Sequence, residues 1–168
     1  MTSEPTIALA LVMTVAVVAM LAIRVRRHRS LALGYEGDIA RIHAIAELVA
    51  EGEPAEFVVI AVARELRELL HLRDVRFQLG LRPPDERAIA RIEQSGHVRV
   101  GQVAWGADSM GLPQEAELPV QSGGQVWGRY LLVATPGFPV SFERRIVAVA
   151  LAAQAGAALA TMEAPSAS

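Results

Sequence analysis

The chain contains His28, His43, His71 and His97, and none has the i, i+4 partner or the carboxylate at ligand spacing that a histidine metal site needs. Cysteine is absent, which removes thiolate zinc sites, a cysteine nucleophile, disulfides and any thioether-attached chromophore. Ser95, Ser109, Ser122 and Ser141 sit in turn or cap contexts rather than in a nucleophile elbow. Gly123-Gly124 is not followed by the lysine, or by the strand-to-helix passage, of a phosphate cradle. The carboxylate pairs Asp85/Glu86 and Glu115/Glu117 are what an acidic surface supplies unaided. No catalytic residue, metal site or cofactor is therefore expected. What remains is binding: Phe77, Trp105, Trp127 and Tyr130 could line a cleft, with His97 and Arg129 adding polar contacts. The alternative for each aromatic is a place in the core.

All 16 basic residues are arginine, and Lys and Asn are absent as well as Cys. Hydrophobicity is concentrated at the front. Residues 6–23 (TIALALVMTVAVVAMLAI) form an uncharged run about 27 Å long as a helix, close to the roughly 30 Å of a bilayer core. Arg24, Arg26, Arg27 and Arg29 follow it directly, whereas residues 1–5 carry no basic side chain. The positive-inside rule then places the amino terminus outside and the rest in the cytoplasm. A cleaved signal peptide would carry its positive charge before the apolar run, the reverse of what is found. The expected organisation is an extracytoplasmic stub at 1–5, a membrane span at 6–23, a basic juxtamembrane linker at 24–37, one domain at 38–161 and a disordered tail at 162–168. The part from residue 30 onward carries 12 Arg against 17 acidic residues, a charge of −5. Nucleic acid, whose nonspecific binding rests on cationic excess, is not an expected partner.

Within the domain, Ile39, Ile42, Ala46 and Val49 recur at helical spacing, and Gly52-Glu53-Pro54 ends that helix. A second amphipathic helix follows, with Phe57, Ile60, Ala61, Leu66, Leu69 and Leu70 on its expected apolar side. Beyond Leu72 the period becomes two, marking a strand through Val75, Phe77 and Leu79. Residues 88–93 and 97–105 flank the turn 94–96 as a hairpin, and 117–121 and 126–134 flank Ser122-Gly123-Gly124 as another. Ser141 caps a final helix running to about residue 161, with Glu143 in its first turn. This order predicts an α+β domain: an antiparallel sheet of about five strands with helices on one face, preceded by one transmembrane helix.

The residues resemble the GAF family of sensory modules. The likeness is carried by residues 57–80 (FVVIAVARELRELLHLRDVRFQLG), by Leu118-Pro119-Val120 followed by 124–133 (GQVWGRYLLV), and by 141–159 (SFERRIVAVALAAQAGAAL). The missing residue types exclude several versions of that family. Its cyclic-nucleotide motif needs Asn and Lys, and its bilin-attaching and methionine-sulfoxide-reducing forms need Cys. Residues 62–70 are also similar to the phospho-acceptor box of histidine kinases, but Arg64 stands where the phosphorylated His would be.

The resemblance implies a pocket over the sheet, lidded here by the short segment 106–115, and a dimer bundle formed by the first and last helices. Ile39, Ile42, Ala46 and Val49 on the first helix, with Ala152 and Gly156 on the last, are the dimer-interface candidates. The expected function is a membrane-anchored, cytoplasmic, non-enzymatic signalling or scaffolding module. It would act as a homodimer in the inner membrane with a signalling partner such as a kinase or regulator. The alternative is a sensor holding a metabolite near Trp105.

Overall fold

The computed structural model describes residues 37–81 and 89–163. The stub, the span at 6–23, the flanking Arg24, Arg26, Arg27 and Arg29, nearly all of the linker and residues 164–168 of the tail lie outside the described residues. In chain order the elements are α1 (37–50), α2 (Ala55–Leu69), β1 (Leu72–Leu79), β2 (Ala90–Ile92), β3 (Val98–Val100), β4 (Val103–Trp105), α3 (Ala107–Met110), β5 (Glu115–Ser122), β6 (Gln125–Ala134) and α4 (Phe142–Glu163).

The α+β class is as expected, but the sheet has six strands in the order β1-β6-β5-β2-β3-β4 and is mixed rather than antiparallel. Two local features account for the difference. Gly101, at φ +60°, opens a tight turn that splits the expected strand 97–105 into β3 and β4. The segment after β4 then crosses back through α3, so β5 lies parallel to β2. A parallel neighbour requires such a crossover connection.

The helix-facing side of the sheet presents Ala116, Leu118 and Val120 from β5 and Tyr130 and Leu132 from β6, all buried. α2 packs on β1 and on α4, and α4 packs on β5. The Tyr130 hydroxyl donates a 3.0 Å hydrogen bond to the Val59 carbonyl, stitching sheet to helix, and its burial pushes the phenol pKa up so that it stays neutral. At Gly156 an added Cβ would lie 2.7 Å from the Gln121 carbonyl oxygen, so α4 rests almost backbone to backbone on β5. α4 is long and apolar enough to cross a membrane, yet it follows the sheet and buries Ala148, Leu151, Ala152, Ala155 and Ala158 in the domain core. At its start the Ser141 hydroxyl accepts a hydrogen bond from the Arg144 amide at 3.4 Å, the expected cap.

The face of α2 differs from expectation. Val58, Val59, Val62, Leu66 and Leu69 are buried, while Phe57 and Ile60 are 63% and 67% exposed. The first half of this helix, AEFVVIAVA, is apolar on nearly every side, so its own period leaves the facing stripe undetermined and the sheet selects it.

One residue ties the periphery together. Arg145, 3% exposed, donates from Nε to the Gly96 carbonyl at 2.7 Å, from Nη1 to the Val140 carbonyl, and from Nη1 and Nη2 to the Asp108 carboxylate at 3.3 and 3.2 Å. Through it α4 holds the β2–β3 turn, the residues before its own start and α3. The hydrogen bond from Arg145 holds the Asp108 carboxyl below its ordinary value. A lowered folded pKa means that this contribution to stability is present above the unfolded value and is lost as pH falls through the folded one. The difference in melting temperature between the wild type and Asp108→Asn should therefore be full at neutral pH and shrink below about pH 4. A difference that persists unchanged down to pH 2.5 contradicts it.

Candidate ligand-binding site

Side chains alternate across a strand, so the residues between the core positions of β5 and β6 lie on the opposite side of the sheet from the helices. That side carries a run of charge. Glu117 of β5 is opposite Arg91 of β2, which is opposite Arg99 of β3, and Arg129 of β6 is opposite Gln78 of β1. Glu117 is wholly buried; its Oε1 accepts from Arg91 Nε at 2.7 Å and its Oε2 lies 3.5 Å from Arg129 Nη1. Arg129 also donates from Nε and Nη2 to Gln78 Oε1 at 3.2 and 2.7 Å. Arg99 donates to the Gln102 carbonyl at 2.9 Å and sits 3.6 Å from Glu93.

Two like charges directly opposite across a ladder repel, and Arg91 and Arg99 are such a pair. They are tolerated because Glu117 and Glu93 stand beside them. A cavity of about 460 Å³ opens next to this array, bordered by Ile89, Arg91, Glu93, Arg99, Gln102 and Glu117. Its cationic arms are partly solvent-facing while the carboxylate behind them is dry. Such a floor can bind a small polar molecule with an anionic group; it offers no nucleophile. Among the described residues no three His, Asp or Glu side chains converge as a metal site.

The six residues expected to share one pocket are dispersed. Phe77 and Tyr130 meet at a tilt on the helix-facing side with ring centroids 5.3 Å apart, Tyr130 inside the core and Phe77 filling the space left by Gly128. Trp127 shares a separate apolar groove of about 420 Å³ with Leu79, Val126, Leu159 and Met162. Arg129 belongs to the other face of the sheet, one residue from Tyr130. Trp105 is on β4, separated from β6 by three strands. His97 is exposed beside the Phe142 ring, 5.6 Å away. Strand alternation and strand order, neither of which composition reveals, separate them.

The lid is packed rather than vaulted. Ala107 and Leu112 are buried, and the Trp105 indole donates at 2.8 Å to the Gly111 carbonyl. Gly111, at φ +74°, lies so close to the Phe138 backbone that any Cβ would collide with it. A ligand space under the lid at Trp105 has no support in this arrangement. The dimer candidates divide between the last helix and the first. Ala152 and Gly156 are consumed by packing on the domain's own sheet, and Ile42 and Val49 are half-buried against the core. Ile39 remains 50% exposed and Ala46 is half-buried.

Glu117, Arg91 and Asp108 carried no motif in the sequence. The available signal was Glu117 itself, an acidic residue between Ala116 and Leu118 in a strand with an apolar face. No family model, no curated protein and no solved structure matches the chain. Removing one member of a buried ion pair typically costs about 3 kcal/mol or more. Glu117→Gln should accordingly lower unfolding stability by about that amount in urea titrations followed by tryptophan fluorescence. Glu115→Gln, exposed on the same strand, should stay within about 0.5 kcal/mol of wild type. Equal behaviour of the two variants contradicts the role given to Glu117.

Proposed function

We propose that this protein is a membrane-anchored, GAF-like signalling or scaffolding module without enzymatic activity, acting from the cytoplasmic side through self-association and partner binding. The apolar run at 6–23 and its arginine flank support the anchor, and the quoted resemblance supports the module type. The observation that carries the reading is the outward pair Phe57 and Ile60. They are one helical turn apart on α2, both more than 60% exposed, on a helix whose inner face is fully used by the core. Two large apolar side chains left on one face support a contact surface there. Tethering to a membrane raises local concentration, so a small patch of this kind can suffice for pairing.

A second reading, a small-molecule sensor, is favoured by the dry Glu117 carboxylate held between Arg91 and Arg129 beside a cavity. Its site moves from Trp105 to the side of the sheet away from the helices.

The lack of native cysteine makes the first reading testable in intact membranes. Phe57→Cys and Ile60→Cys should give disulfide-linked dimers under mild oxidation, whereas Gln102→Cys should not. In right-side-out cells the same thiols should react with a membrane-impermeant reagent only after permeabilisation. Labelling of intact cells contradicts the topology, and failure of both helix cysteines to cross-link contradicts the pairing surface. Arg91→Gln separates the two readings, because it should leave cross-linking intact yet remove any ligand-induced rise in melting temperature.

A further inference from the structure

The last two turns of α2 place Arg64, Arg67 and Glu68 at i, i+3 and i+4 on one helical face, and His71 follows two residues past the helix end. Thr135 and Phe138, from the connection between β6 and α4, stand across from that face. Together with Leu72 they border an open, solvent-facing cavity of about 640 Å³. It lies apart from the Glu117 array and shares no residue with it.

The charges around this cavity do not cancel. Glu68 is engaged by Arg41 at 3.3 Å and by Arg64 at 3.7 Å, and Glu65 is also held by Arg41. Arg67 has no acidic partner among the described residues. His71 adopts φ +52°, a left-handed conformation that glycine would supply at lower cost, and its ring lies 5.0 Å from that of Phe138. The cavity is therefore bordered by two guanidinium groups, an imidazole, a hydroxyl and the one carboxylate of Glu68, with Phe138 and Leu72 as apolar wall.

We infer that this cavity binds a phosphate-bearing molecule, with the phosphoryl oxygens taken by Arg67, Arg64, His71 and Thr135 and the remainder of the molecule against Phe138 and Leu72. Guanidinium groups match phosphate oxygens in bidentate geometry, and hydrogen bonds between charged partners are the stronger kind. The unbalanced Arg67 draws the anion, while Glu68, already bridged between Arg41 and Arg64, opposes it least. A bare phosphate ion would leave the apolar wall of Phe138 and Leu72 without a role, which points to an organic phosphate. That phosphate can come from a soluble monoester or from the headgroup of a phospholipid, and the two are separable.

The test is calorimetric titration of the full-length protein in an uncharged detergent, with ionic strength held constant by sodium chloride. The probes are inorganic phosphate, phenyl phosphate as a soluble monoester, and glycerophosphoglycerol as a phospholipid headgroup diester. Saturable binding of phenyl phosphate or glycerophosphoglycerol, tighter than that of inorganic phosphate, is expected, with Arg67→Gln and Arg64→Gln each weakening it about tenfold. Arg73→Gln, an exposed arginine outside the cavity, should bind as wild type. Preference for phenyl phosphate assigns the site to soluble monoesters, and preference for glycerophosphoglycerol assigns it to lipid headgroups. The inference is overturned if neither organic probe saturates, if inorganic phosphate binds as tightly as both, if Arg67→Gln binds unchanged, or if Arg73→Gln weakens binding as much as Arg67→Gln does.

Discussion

A guanidinium removed from water must have its charge and its N–H groups met by the protein, because an uncompensated buried cation costs several kcal/mol. Arg145 is such a group, and its partners come from the Gly96 turn, the Val140 carbonyl and Asp108 of α3. None of these segments can move independently without stranding the cation. The chain around it is shaped accordingly. Gly96 has φ +79°, and a Cβ there would lie 2.7 Å from the Ile146 side chain, so the turn can seat itself against the first turn of α4. The short strands β2, β3 and β4 have few ladder bonds of their own, and this anchorage to a long helix keeps them in the sheet.

The consequence is a domain with two unlike sides. One side is closed: α2 and α4 cover the sheet, Tyr130 and Gly156 set the spacing, and aromatic residues that looked available for a ligand are spent on packing. The other side keeps its charge, with Glu117, Arg91, Arg129 and Arg99 held in a network that fixes their positions. With the lid latched at Asp108 and sealed at Gly111, the open spaces among the described residues include the charged face, the end of α2 and the groove at Trp127. The outer surface of α2 carries Phe57 and Ile60, which the core does not use.

The element order was legible because its signals are local. The switch from helical to alternating period at Leu72, the Gly-rich turn at 123–124 and the Ser141 cap each depend on a few neighbouring residues. The parallel pairing of β2 with β5 was not legible, since it is set by where a crossover lands. The facing of α2 was hidden by an apolar excess in AEFVVIAVA, and the small residues Ala152 and Gly156 fit helix pairing and sheet packing equally well until the sheet is in place. Arg145 did leave a trace, lying three residues before Ala148 on the stripe that continues through Ala152 and Ala155. A charged residue on a buried stripe is a sign of a satisfied internal cation. The Glu117–Arg91–Arg99 ladder needed strand register, which no single segment contains.

The central claim is that the outward face of α2 pairs two copies of the chain. Sedimentation equilibrium of the full-length protein in a density-matched detergent measures this directly, comparing wild type with the Phe57→Glu/Ile60→Glu double variant. Both side chains are exposed, so the double variant should retain the wild-type circular dichroism spectrum. The account predicts a dimeric wild type and a monomeric variant. A monomeric wild type, or a variant that remains dimeric, contradicts it.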